Sequence, residues 1–122
     1  MIENNKTQQT INLGYLIGLS RGDKGFVKNM INVFLEENPK EIEMLEASIR
    51  EVDFDMIRAS AHKLKSTIPF VGLDLKIGEV VNEIETLAAK GKDIESIKQL
   101  FSTVKKNSDM ATEELVAYLS EN

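Results

Sequence analysis

Apolar residues recur at spacings of three and four along most of this chain, and no stretch sustains the apolar-polar alternation of a half-buried strand. Only helices bring residues at those spacings onto one face. Phe54, Ile57, Ala61, Leu64 and Ile68 form the clearest stripe. Leu73, Ile77, Val80, Ile84 and Leu87 repeat it after Gly72. A last long stripe runs through Ile94, Ile97, Phe101, Val104, Ala111, Leu115 and Tyr118, with a bend expected near Asn107 and Ser108. Earlier, Phe26, Val27, Met30, Ile31, Val33 and Phe34 oppose Lys24, Lys28, Asn29, Asn32, Glu36 and Glu37, and Ile42, Leu45 and Ile49 carry a further helix to about Glu51.

Punctuation between the stripes predicts the boundaries. Asp23, Asp53 and Asp93 each precede a periodic run and suit an N-cap, whose carboxylate accepts from the first free amides. Asn38-Pro39 reads as a stop and restart, because the residue before proline leaves the helical region and proline suits a first helical position. Pro69 removes a backbone donor and should end or kink the preceding helix. Gly22 and Lys90-Gly91-Lys92 read as turns. Ile11, Leu13, Leu16, Ile17 and Leu19 predict a short helix across the bundle, weakened by Gly14 and Gly18. Residues 1–10 are polar and unpatterned, which predicts a flexible N-terminal tail ahead of a single domain over 11–122. With 122 residues the chain is long enough for one core. The economical architecture is all-α: an antiparallel up-down four-helix bundle with an additional short N-terminal helix.

Several functions are excluded or disfavoured by what is missing. The chain has no cysteine, which removes disulfides, thiol chemistry and Cys-ligated metals and suits a reducing cytoplasm. A net charge of -5 lacks the basic face that nucleic-acid binding requires. No run approaches the roughly 20 apolar residues of a membrane span, so no direct membrane contact is expected and a cytoplasmic location is. Asn5-Lys6-Thr7 and Arg21-Gly22-Asp23 match a glycosylation acceptor and an adhesion tripeptide, but no secretory signal gives either its context.

The single histidine, His62, is the chemically distinctive residue. It lies roughly 130° around its helix from the centre of the apolar stripe, and so should face water. Arg58, Lys65 and Ser66 lie three or four residues away and share or border its face. A neutral imidazole near pH 7 is a nucleophile, and neighbouring cations suit the charge of a phosphoryl group. Metal ligation is disfavoured because there is no second histidine and no cysteine. The same residues could also be an ordinary solvated face, leaving a helical docking module with an incidental histidine.

The segment Ala61-His62-Lys63-Leu64-Lys65-Ser66, with Gly72 ten positions after the histidine and then Leu73, resembles the signature of histidine-containing phosphotransfer (HPt) domains of bacterial multistep phosphorelays. The similarity extends through Leu19-Ser20-Arg21-Gly22-Asp23, Phe26-Val27, Phe34-Leu35, Leu45 and Asp53-Phe54, covering roughly Leu13 to Leu87; the last helix matches only in pattern. The resemblance implies that His62 accepts the phosphoryl group from a receiver-domain aspartate and passes it to another receiver. It makes Lys65 the cation at that group, Ser66 the small neighbour, and Gly72 the start of the next helix; Arg58 could add electrostatic support. The implied partners are response-regulator receiver domains and a hybrid sensor histidine kinase, with the protein itself a monomer. No nucleotide-binding motif such as G-x-x-x-x-G-K-[ST] occurs, so no kinase activity of its own and no resident cofactor are expected, magnesium coming with the receiver. The phosphoacceptor domain of a chemotaxis-type kinase is the related alternative. Leu16, Ile17 and Phe70 are candidates for an apolar docking rim, and Thr67-Ile68-Pro69-Phe70-Val71 departs from the small residues common in this family.

Overall fold

The computed structural model describes residues 10–121. Its elements in chain order are α1 (Gly14–Ser20), α2 (Lys24–Arg50), α3 (Phe54–Thr67), a 3-10 turn (Ile68–Val71), α4 (Asp74–Lys90) and α5 (Ile94–Glu121), and the described residues contain no strand. Each long helix packs on the next, and α5 closes the ring against α2. The connections between the long helices are short, which makes sequential neighbours antiparallel. The expected four-helix bundle with a short N-terminal helix is therefore the fold.

Its four long helices are not divided as expected, because Asn38-Pro39 does not separate two helices. The 27 residues of α2 run through Pro39, which lies on the exposed side. A proline inside a helix costs about 3 kcal/mol. Against that, Val27, Ile31, Phe34, Ile42, Leu45 and Ile49 lie on one continuous buried line. Each of these side chains gains about 1.5–3 kcal/mol from burial, so breaking the helix and turning half of them outward would cost more than the proline. Asn38 is also on that buried line rather than at a cap.

The stripes otherwise fill the core with small changes of phase. Ile57, Ala61, Leu64 and Ile68 are fully buried, as are Ile97, Val104, Ala111 and Leu115. On α4 the centre of the buried line moves by one residue to Val81 and Ala88, with Val80 and Leu87 half-buried. This helix touches both α3 and α5 and presents the edge between them. Val33, expected on the stripe of α2, is exposed instead. Asp23 and Asp53 cap as expected, accepting from the amides of Phe26 and Met56 at 3.1 Å. Asp93 takes a left-handed conformation (φ 65°), and its carbonyl rather than its side chain accepts from Ile97. Through Asn107 and Ser108, α5 remains one helix.

The chain ahead of α1 is a strap across one end of the bundle. Of the tail expected over 1–10, residues 1–9 lie outside the described residues, whereas Thr10 is buried. The amides of Thr10 and Ile11 donate to the Glu114 carboxylate at 2.8–3.0 Å. The amide of Asn12 donates to the carbonyl of Val71 at 2.8 Å. Where the strap crosses, Gly72 has φ 73°, and a Cβ there would come within 2.3 Å of the Asn12 carbonyl oxygen. Glycine is required at that crossing for two separate reasons, conformation and space. Pro69 is the second residue of the 3-10 turn directly after α3, consistent with its expected role as a terminator.

Candidate functional site

The exposed side of α3 and the adjoining side of α4 build the site. Burial of Ala61 and Leu64 rotates His62 outward, with 69% of its side chain accessible. Its Nδ1 lies 2.9 Å from Oε2 of Glu85 on α4. Lys65, one turn on, places Nζ 2.7 Å from Oε1 of the same carboxylate and donates to Oδ1 of Asn82 at 2.9 Å. Asn82 and Glu85 are three residues apart, so one face of α4 holds both partners.

The cationic side chain explains the charge state of Glu85. Hydrogen bonding from Lys65 is the largest influence on its carboxyl, which is held below the usual value near 4.5; hydrogen bonding from His62 and the charges of both partners act the same way, and burial opposes them. Glu85 is thus an acceptor at neutral pH, and an acceptor requires that Nδ1 carry the proton. In the neutral ring that leaves Nε2 with its lone pair, on the side away from Glu85.

The remaining expected residues are placed unevenly. The Ser66 hydroxyl donates to the Lys63 carbonyl at 2.7 Å, so it turns back onto its own helix instead of toward the histidine. Arg58 is exposed and makes no side-chain hydrogen bond or ion pair among the described residues. Gly72 lies under the strap, away from the ionic cluster. Among the rim candidates, Leu16 is fully buried and belongs to the core, because α1 turns that side inward. Ile17 is 49% exposed, and Phe70 is half-buried with its ring 6.1 Å from that of Tyr15.

Two residues of this cluster, Asn82 and Glu85, escaped the sequence reading. Their signal was a polar pair at i and i+3 beside the buried Val81 and Ile84, on the helix antiparallel to the histidine's. A family model, that of the Hpt domain, matches residues 29–121. The chain belongs to the Hpt family. Comparison with curated proteins gives no match, and neither does comparison with solved structures. Hpt domains are phosphotransfer carriers rather than kinases, and they act with receiver domains in phosphorelay signalling. The matched span of this Hpt domain contains α3 and α4 whole and leaves α1 outside. Among the described residues, no helix is long and apolar enough to cross a membrane.

Proposed function

We propose that His62 is the phosphoacceptor of a phosphorelay intermediate. The observation that carries this reading is the division of labour on the ring: Nδ1 is held by Glu85 while the opposite nitrogen is free. Nε2 attacks the phosphorus of a receiver's aspartyl phosphate; the N–P bond forms, the P–O bond to the aspartate breaks, and the carboxylate leaves with the electron pair. The ring becomes positively charged with its proton still on Nδ1, facing the Glu85 carboxylate, which stabilises that charge. A second receiver aspartate reverses the step. Both transfers are matters of positioning and charge, for which no nucleotide site on this chain is needed.

Lys65 exchanges Glu85 for the phosphoryl oxygens once they arrive, a movement of one flexible side chain. Arg58 contributes only long-range charge. Ser66 leaves space for the receiver, and Gly72 keeps the end of the histidine helix in place beneath the strap. Magnesium is supplied by the receiver. The donor system is a hybrid sensor histidine kinase, and the protein works as a cytoplasmic monomer docking through Tyr15, Ile17, Leu19 and Phe70.

The test is to incubate the protein with phosphorylated receivers and follow acid-labile, alkali-stable phosphate. Wild type takes up the label and His62→Gln takes up none, while its melting temperature stays close to that of wild type. Folded wild type that accepts nothing from any phosphorylated receiver would overturn the reading, and label retained by His62→Gln would displace it to another residue.

A further inference from the structure

On the side of α3 away from Glu85, a groove runs between α2 and α3. Met30, Val33, Phe34 and Phe70 form its apolar walls, with Glu41 and Thr67 deeper and Lys63 at its lip. It continues past Lys63 toward Met44 and Ser60, again with Glu41 on its lining. Its volume, about 240 Å³, is far more than the ~10–15 Å³ that holds a single water molecule, so it can take a side chain.

Glu41 is the anomaly in this groove. It is 7% exposed, accepts from the Thr67 hydroxyl at 2.9 Å, and has no ion pair among the described residues. Burial raises its pKa above the ordinary glutamate value; Thr67 and, more weakly, the charge of Lys63 oppose the rise, while Glu37 adds to it. A glutamine would fill the same space and accept the same hydrogen bond without a charge to desolvate. Lys63 acts on this carboxylate by its charge without forming an ion pair with it, which leaves the carboxylate able to take a cation.

We propose that this groove receives a lysine or arginine side chain of the docked receiver, with Glu41 as its counter-charge. The partner rests on the phosphorelay reading. His62 and Lys63 are adjacent on exposed α3, so a receiver in contact with His62 also covers Lys63 and the mouth of the groove. An entering basic side chain lays its aliphatic stem along Met30, Val33, Phe34 and Phe70 and brings its charged end to Glu41. Docking then turns a desolvated carboxylate without an ion pair into a paired one, with Glu37 on the same lining adding to its pull on a cation, so receivers lacking the cation are disfavoured.

The pocket can be tested without phosphoryl transfer. n-Butylguanidinium, titrated into the protein and followed by amide NMR, should saturably shift Glu41, Thr67 and Phe34, whereas neutral n-butylurea should bind about tenfold more weakly. Glu41→Gln should reduce the cation to the level of the urea while leaving the protein at least as stable as wild type. Equal binding of the two probes, or shifts confined to Asn82 and Glu85, would overturn the pocket. In a second arm, the receiver that best donates to His62 should bind Glu41→Gln about tenfold more weakly, with the saturating transfer rate unchanged. Unaltered receiver affinity would overturn the assignment of the occupant. Failure of the guanidinium arm is distinct from failure of His62 to take phosphate, which the first arm never measures.

Discussion

Two glutamates flank the histidine helix and meet opposite fates. Glu85 on α4 faces His62 and Lys65; Glu41 on α2 faces Thr67, two residues beyond Lys65 and around the other side of α3. The Glu85 side chain is only 19% exposed, yet its carboxyl is held down, whereas burial pushes that of Glu41 up. The difference lies in their partners: a short ion pair outweighs desolvation, and a neutral hydroxyl does not. One carboxylate is already ion-paired in the free protein, and the other has no ion pair among the described residues.

The largest expected separation between them is kinetic. Glu85→Gln removes the charge that faces the His62 ring; if His62 is the phosphoacceptor proposed above, transfer to it should slow by about 10–100-fold, the range known for carboxylates that orient metal-bound histidines. Glu41→Gln should leave the saturating rate alone. If both substitutions slow that rate equally, the two sides of α3 do not have the distinct roles assigned to them.

Next in size is stability, where the signs differ. Glu41→Gln should stabilise at pH 7 by about 1 kcal/mol, from relief of a buried charge. Glu85→Gln should destabilise by no more than about 1 kcal/mol, the usual range for ion pairs at a surface. Urea unfolding measures both.

Acid should then sharpen the contrast. The folded pKa of Glu85 is depressed, so its stabilisation is present above the ordinary value of 4.5 and is lost as pH falls through the folded pKa. The folded pKa of Glu41 is raised, so its contribution is complete below 4.5 and is lost as pH rises through the folded value. Each variant's difference from wild type should therefore shrink toward pH 4, from opposite signs. A gap that widens in acid would reverse the sign for that residue. Asn82→Ala should give the smallest effect, a few-fold change in transfer rate, because Lys65 keeps its ion pair with Glu85; a loss as large as that of Glu85→Gln would make Asn82 the main anchor of the lysine.

Much of this was legible in the sequence, for identifiable reasons. Helical phase alone turned His62 outward, since Ile57, Ala61, Leu64 and Ile68 admit one buried direction. The place of Lys65 beside His62 was legible because i+3 neighbours share a face. Glu85 was not, since helical phase relates residues within one helix and says nothing of the register between α3 and α4. Pro39 misled because local backbone preference was weighed without the buried line that continues on both sides of it. Leu16 and Ile17, adjacent in sequence, could not be divided into core and rim until α1 was docked. The Ser66 hydroxyl had a nearer acceptor in its own helix than anything across the site.

The strap gives the molecule a timetable. Most helix-to-helix contacts, those of α5 with α2 apart, join neighbours in the chain and can form early, but the grip of Glu114 on Thr10 joins positions 104 apart. That closure has to wait until both ends of the chain have been brought together, and it combines a few amide hydrogen bonds with the burial of one large apolar side chain, Ile11. In hydrogen exchange, Thr10, Ile11 and Asn12 should open together and ahead of the core amides of α3, as a unit that comes undone while the four helices remain folded.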